Sequence, residues 1–337
     1  MKIALITDTH FGARNDNANF NEYFYNFYDN VFFPYLKEHN ITTAVHLGDV
    51  MDRRKYVSYK IAKDFRERFI DNFTGINLHM LVGNHDTFFK NTNAVNSLQE
   101  LVDGRYEGIT VYENATEVDF DSETTEVVFD ECKILFVPWI NSENYTKSVN
   151  HIKNTDAQIC MGHLELNGFA MMKGMIMDHG WDKEEFSNFD MVMSGHYHHK
   201  SDDGQVYYLG TPYEIYWNDW EDPKGFHIFD TETRELERIV NPYNIFSKIY
   251  YDDTVSAFDD NHDMSAYKNK YVKLVVVNKK DLFQFDRFVD KLLTADCHDV
   301  KIVEDFSEMD ANNVSDDIVE NTEDTMTLLE KYIDEII

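Results

Sequence analysis

The sequence predicts an α/β fold with a second, smaller α+β domain and a C-terminal helix. Three observations predict it. Short apolar runs of strand length alternate with longer segments whose apolar residues recur every three or four positions. Residues able to bind cations stand directly after several of the short runs. The chain has 337 residues, 43% hydrophobic and 15% aromatic, enough to build the core of one large domain or of a main domain with a smaller companion.

Charge and cysteine usage narrow the class. With 31 Lys and Arg against 62 Asp and Glu, the net charge is 31 − 62 = −31. Such a surface is soluble and self-repelling, and it excludes a broad basic face for nucleic acid. A polyanionic substrate would need bound metal or a partner to hold it. Cys132, Cys160 and Cys297 lie far apart without a Cys-x-x-Cys pair, which speaks against a disulfide framework or zinc ribbon and fits a reducing compartment. We read no signal peptide and no apolar run near the roughly 20 residues needed to span a bilayer. The expected location is the cytoplasm.

In chain order, Lys2 to Thr7 reads as a buried strand, and Asp8 and His10 follow it, two apart and able to reach one cation. From Phe20 to Leu36, aromatics spaced by three and four predict a helix ended near Pro34 or soon after. Its stripe is either core or a subunit interface. Thr42 to Leu47 is a strand that ends in Gly48-Asp49-Val50-Met51-Asp52. Arg53, Arg54 and Lys55 come next: a solvated face, or a group that positions phosphate together with Arg14. Ser58 to Asp71 reads as a helix with Ile61, Ala62, Phe65, Phe69 and Ile70 inward, and Leu78 to Val82 as a strand. Gly83-Asn84-His85-Asp86 follows it, and there the glycine is expected to turn the chain. Ala94 to Val102 is a further helix.

Between Thr110 and Pro138 short alternating segments suggest antiparallel strands at Val111, Val118 to Phe120, Val127 to Phe129 and Ile134 to Val137. A helix is expected around Ser148. Ile159 to Met161 leads into Gly162-His163, and Met191 to Met193 into Ser194-Gly195-His196-Tyr197-His198-His199. Met171, Met172, Met175 and Met177 read as core filler or a flap. Val206 to Leu209, Gly225 to Asp230 and Leu236 to Val240 complete the large domain as strands. We place its boundary at 243. Residues 244–303 form the small α+β domain, with strands from Phe246 and over Tyr271 to Val277, a helix over Leu282 to Leu293 and a last strand at Val300 to Val303. The acidic stretch 304–324 reads as a linker. Residues 325–337 carry a helical stripe of Leu328, Leu329, Tyr332, Ile333 and Ile336 that packs on its own domain or docks on a partner.

Asp8, His10, Asp49, Asn84, His163, His196 and His198 each come just after a predicted strand, where α/β sheets form their ligand crevice. Seven oxygen and nitrogen donors suit two cations, with Asp49 able to bridge ions about 3.5–4 Å apart, a spacing used in phosphoester hydrolysis. The mixture of carboxylate, amide and imidazole favours Mn²⁺, Fe²⁺ or Zn²⁺ over Ca²⁺.

These five blocks, in this order, resemble the signature of calcineurin-like metallophosphoesterases. Tyr208-Leu209-Gly210-Thr211-Pro212 and Asp222-Pro223-Lys224-Gly225-Phe226 add a resemblance to the SbcD-type DNA nuclease subunits, those of T-even-type phages included. Gly162-His163-x-Glu165-Leu166-Asn167-Gly168 and Leu329-Glu330-x-Tyr332-Ile333 point the same way. The resemblance implies a four-layer sandwich, two mixed sheets flanked by helices, with a capping domain that binds DNA. It implies one metal on Asp8, His10, Asp49 and His198 and a second on Asp49, Asn84, His163 and His196, both expected to be Mn²⁺, with a water between them attacking phosphorus in line. His85 would serve the leaving group as the catalytic residue, its ring oriented by the Asp52 carboxylate. The implied activity is double-strand exonuclease and single-strand endonuclease, processing DNA ends in recombination and repair. The implied partners are an SbcC-type coiled-coil ATPase, DNA and a second copy of the chain, in the cytoplasm of a phage-infected host if the chain is viral. A phosphomonoesterase or small-nucleotide phosphodiesterase is the competing function.

Overall fold

The computed structural model describes residues 1–120, 132–254, 258 and 262–304. The expected strand at Val127 to Phe129, the linker after Glu304 and the helix at 325–337 lie outside these residues. The described chain divides into two compact units.

In the first unit the apolar runs form twelve strands: β1 (Lys2–Ile6), β2 (Thr43–His46), β3 (Asn77–Leu81), β4 (Ile109–Tyr112), β5 (Thr116–Phe120), β6 (Cys132–Val137), β7 (Ile159–His163), β8 (Ala170–Met172), β9 (Met175–Ile176), β10 (Met191–Gly195), β11 (Ser201–Asp202) and β12 (Val206–Tyr208). Two more, β13 (Gly225–Asp230) and β14 (Leu236–Val240), return to the first sheet. That sheet has the order β14-β13-β1-β2-β3-β4, and a second six-stranded sheet the order β11-β12-β10-β7-β6-β5. In the first, β1 to β4 run parallel. In the second, β6, β7, β10 and β12 do so. Parallel strands buried on both faces read as unbroken apolar runs, as here.

The two sheets share one core. Ile3, Leu5, Val45, Leu47 and Leu81 of the first pack with Ile134, Phe136, Ile159, Met161 and Met193 of the second. Leu135, Val137, Cys160 and Val192 turn the other way, onto Ile152, Phe186 and Phe189. On the first sheet's other side lie the helical segments 24–38 and 59–73, whose Phe27, Tyr28, Phe32, Phe65, Phe69 and Phe73 are all buried. The result is the four-layer mixed α/β sandwich.

Several expectations change or are sharpened. The helix runs past Pro34 and ends soon after, at Glu38. Tyr28–Phe32 forms a wide π turn, closed by the Phe33 N–H donating to the Tyr28 carbonyl, and a new α-helical segment, Phe33–Glu38, starts there. Pro34 stands in its first turn, where the missing N–H costs nothing. The aromatic stripe is interior: Phe20, Phe24, Phe27, Tyr28, Phe32 and Leu36 are at most 1% exposed, which removes it as an interface. β4 lies parallel to β3 in the first sheet, and among the described residues of this stretch the antiparallel pair is β5 with β6. The helix expected from Ala94 begins at Ser97, because Thr87 and Asn96 form a bridge and the Asn96 side chain then caps Gln99. The methionine segment is the β8–β9 hairpin; Met171 and Met177 pack inward, while Met175 is exposed.

The second unit comprises Ala18–Tyr23, Glu214–Glu221 and the residues from Tyr243 on. Its sheet, β15 (Phe246–Asp252), β16 (Tyr271–Asn278) and β17 (Asp299–Val303), has that order and is all parallel. Helix Leu282–Leu293 packs Phe285, Phe288 and Leu292 on Ile249, Leu274 and Val276. The two short segments belong here for a physical reason. The Glu214 carboxylate accepts the main-chain N–H groups of Ile245 (2.8 Å) and Phe246 (2.9 Å), and the rings of Phe20 and Trp217 lie against Phe246.

The burial of Phe32 predicts that Phe32→Ala lowers unfolding free energy by about 3–5 kcal/mol. Denaturant titration at two protein concentrations tenfold apart checks it. The loss should be the same at both, whereas an interface residue would show a concentration-dependent midpoint.

Candidate metal centre

The parallel strands of both sheets deliver their C-terminal ends to one place. Asp8 and His10 follow β1, Asp49 follows β2, Asn84 and His85 follow β3, His163 closes β7, and His196 and His198 follow β10. Asp8, His10, Asp49, Asn84 and His163 are buried, while His85, His196 and His198 are partly exposed.

The donor atoms fall into two groups. Asp8, His10 and His198 form one, and Asp49, His163 and His196 the other, each with its atoms within 4.8 Å of one another. Nε2 of His10 and Nε2 of His198 face each other at 3.1 Å. The Asn84 Oδ1 lies 2.9 Å from both His163 Nε2 and His196 Nδ1. Asp49 Oδ2 is 3.3 Å from His163 Nε2 and 3.9 Å from His10 Nε2, so it stands between the groups. All seven residues expected as ligands are therefore together.

Burial and charge show what this arrangement wants. Burial pushes the Asp8 carboxyl up to about 7. At Asp49 burial opposes ionisation, but the imidazoles of His163 and His85 outweigh it and hold the carboxyl well below its usual range. Burial likewise opposes the charge on His163, yet Asp49 prevails and takes the ring up to about 9. His10 is held well below its ordinary value by burial and by the neighbouring His85 and His198 rings. Buried carboxylates whose charge is met by imidazoles, with ring nitrogens converging pairwise, fit a divalent cation in each group. The hard-and-borderline donor set agrees.

The surroundings fix each donor. The His163 Nδ1–H donates to the Leu47 carbonyl at 2.8 Å, which turns Nε2 inward toward Asp49 and Asn84. Asp8 accepts from the Thr7 hydroxyl (2.6 Å) and the His196 N–H (3.0 Å). Asp49 Oδ1 accepts the His85 N–H at 2.7 Å. Asp86, fully buried, braces the turn: Oδ1 accepts from Val50 and Met51 N–H at 3.0 Å, and Oδ2 from Gly83 N–H at 2.9 Å. Asp8, His10, Asp49 and His196 all have positive φ, at 51°, 43°, 54° and 84°. Non-glycine residues held there carry strain of order 1–3 kcal/mol each, and such strain gathers at functional sites.

Two details refine the expectation. Gly83 serves by its lack of a side chain, since a Cβ there would lie 2.2 Å from the Asp49 nitrogen. Asp52 reaches His85 through its main-chain carbonyl, 2.6 Å from His85 Nδ1, and its carboxylate lies 3.6 Å from His10 Nδ1. The cationic run is also partly committed: Arg53 pairs with Asp16 and lies over the Tyr56 ring at 4.4 Å.

Three residues join the centre without a pattern in the sequence to mark them. His46 receives the Gly48 N–H on Nδ1 (3.3 Å), so its Nε2–H donates to the Thr9 hydroxyl at 3.0 Å; burial takes this ring down to about 3, hence neutral. Trp139 stands with its ring 5.1 Å from His196 and 6.1 Å from His163. Buried Lys224 donates to the His198 carbonyl (2.9 Å) and to Asp222 (2.8 Å).

Comparison with known proteins follows the same residues. The sequence family described as calcineurin-like phosphoesterase matches residues 1–200. Exonuclease subunit 1 of Enterobacteria phage T4 is 35% identical over 306 residues, 90% of this chain and 83% of that protein. A solved archaeal phosphodiesterase is 15% identical, covering 71% of this chain and 99% of its own, with a TM-score of 0.33.

Close approach at Gly195 gives a test. A Cβ there would lie 2.0 Å from Thr7 Oγ1 and 2.8 Å from Asp8 Oδ2. Gly195→Ala should weaken Mn²⁺ binding at least about tenfold in isothermal titration, with Gly204→Ala, where a Cβ meets nothing within 4 Å, as the comparison. Equal affinities in both variants would show that the approach does not shape the centre.

Proposed function

The chain belongs to the calcineurin-like phosphoesterase family, and we propose that it is a divalent-metal-dependent nuclease that hydrolyses the phosphodiester bonds of DNA. As a member of that family it is a hydrolase of phosphoester bonds. The observation that carries the finer reading is the pair of ligand groups with Asp49 between them. In this reading Asp8, His10, Asp49 and His198 hold one divalent cation, and Asp49, Asn84, His163 and His196 the other. Two such ions, when bound, supply a water of lowered pKa and neutralise charge on the phosphoryl oxygens. Mn²⁺ is the ion we favour.

His85 is assigned to the leaving oxygen. The Asp52 carbonyl lies 2.6 Å from its Nδ1, so Nε2 is the nitrogen we assign to deliver a proton, and the His10 ring stands edge-on to it at 4.9 Å. DNA is preferred over a small phosphomonoester because the extensively similar phage protein is named an exonuclease subunit. That name also supports a protein partner, which we take to be an SbcC-type coiled-coil ATPase. The acidity of this chain makes such help physically reasonable, since a partner can supply cations that the chain lacks. We further propose a homodimer, acting in the cytoplasm on DNA ends in recombination and repair. Among the described residues no helix is long and apolar enough to cross a membrane.

The deciding assay offers end-labelled duplex DNA, single-stranded DNA and 4-nitrophenyl phosphate to the purified chain with Mn²⁺, alone and with its cognate ATPase. We expect DNA cleavage that EDTA abolishes. Turnover of the monoester with DNA left intact would replace this reading by a phosphomonoesterase. His85→Gln should lower kcat on DNA by about 10²-fold or more with Mn²⁺ affinity retained within about threefold; loss of metal binding would instead make His85 part of the metal shell. For the partner, a chain ending at Asp324 should co-purify less ATPase than the full chain, and undiminished recovery would place docking elsewhere. Light scattering on the full chain tests the dimer, which a monomer mass at assay concentrations excludes.

A further inference from the structure

We propose that the cleft between Trp139 and Trp181, opening beside His163, is a subsite for a nucleobase of the DNA strand being cut; the inference rests on the nuclease reading above. The cleft is a shallow recess open to solvent, and His163, Glu165, Ile140 and Leu166 complete its walls with the two indoles.

The chemistry of the walls selects the occupant. The lining contains no Lys or Arg. The Glu165 carboxylate, with its side chain 31% exposed, repels phosphate and accepts hydrogen bonds from N–H groups. Two partly exposed indoles offer flat faces for stacking, which every base can use. A neutral ring bearing an exocyclic amine meets all of these conditions, whereas the sugar-phosphate backbone meets none.

Position and rigidity agree. His163 belongs both to the cleft wall and to the ligand group with Asp49 and His196, so a base held here belongs to a nucleotide adjoining the reacting phosphate. Both indoles are anchored through their main chains. Trp139 N–H donates to the Val82 carbonyl at 2.8 Å, beside Gly83. Trp181 N–H donates to Glu165 (2.8 Å), its carbonyl accepts from Asn167 (3.0 Å), and its ring rests against Tyr145 at 5.1 Å. A cleft with fixed walls loses little entropy when a ring enters.

The test combines a missing base with a missing wall. Single-stranded oligonucleotides carrying one abasic residue at successive positions around a single cleavage site are cut by the wild-type chain, Trp181→Ala and Trp181→Phe with Mn²⁺, alongside bis(4-nitrophenyl) phosphate. For the wild-type chain we expect one position at which removing the base raises KM at least about fivefold. That penalty should vanish in Trp181→Ala and return in Trp181→Phe. For Trp181→Ala, kcat/KM on intact DNA should fall at least about fivefold further than on the small diester. Equal losses on both substrates, or an abasic penalty that persists without Trp181, would overturn the subsite. So would Trp181→Ala that leaves DNA kinetics untouched but removes stimulation by the ATPase, which would make the cleft a protein-docking site. If the wild-type chain hydrolyses the diester but no DNA, the nuclease reading itself fails; if it cuts DNA without base dependence at any position, only the subsite does.

Discussion

Two carboxylates, Asp8 and Asp49, are buried to 0% and 2% exposure with imidazoles as their charged neighbours. This one arrangement sets most of what is unusual around it. A buried carboxylate is costly unless it is paired or coordinates a cation. Imidazoles can supply a proton to offset the charge, or offer lone pairs to the same cation. The fold can hold such a group only if its neighbours are fixed, and the fixing is visible. Asp86 ties three main-chain N–H groups across two loops. His46 and Thr9 link the residue before Asp49 to the residue after Asp8. Four ligand-type residues accept left-handed backbone to aim their side chains. Local rules are broken together here, which is how a functional site departs from its scaffold.

The scaffold can carry that strain because its layers are over-determined elsewhere. Strand ends from two sheets reach the centre, and the sheets share a core in which Leu5, Val45, Leu81, Phe136 and Met161 are fully buried. Behind the first sheet, aromatic rings from two helical segments pack edge to face, as at Tyr28 with Phe69 and Phe33 with Phe73. Aromatic pairs add about 0.5–1.5 kcal/mol each beyond area burial. A rigid back layer of this kind fixes the strands, and the strands fix the donor atoms. Metal binding would then add stability, because a ligand that binds the folded state alone favours it.

Much of this was legible in the sequence. Period-two and period-four patterns located the strands and helices, and each ligand-type residue stood a fixed step after an apolar run. What the pattern did not reveal depends on contacts between distant segments. Gly83 reads as a turn glycine, but its lack of a side chain serves Asp49, 34 positions earlier in the sequence. Asp52 reads as a carboxylate partner, and its main-chain carbonyl also reaches His85; a carbonyl leaves no trace in residue type. Pro34 reads as standing near a helix end; the π turn over Tyr28–Phe32 lets the ladder run on to Glu38 with no N–H required of the proline. Trp139 and Trp181 are ordinary aromatics until the second sheet brings their loops to one cleft.

The overall charge of −31 constrains how any polyanion could approach. Coulomb repulsion acts on every phosphate within about a Debye length, roughly 8–10 Å at physiological salt, so DNA gains nothing by lying broadly on this surface. Attraction has to be local: two cations at the centre, and the few side-chain cations that are not already answered by acids, as Arg53 is by Asp16. Contacts that do not depend on charge become correspondingly more valuable. Stacking of a base is nearly indifferent to salt, whereas phosphate contacts weaken steeply with it. An acidic phosphoesterase is therefore best served by a neutral, aromatic foothold close to its metals. In the subsite proposed above, Trp139 and Trp181 would supply that foothold, with Glu165 in the same lining.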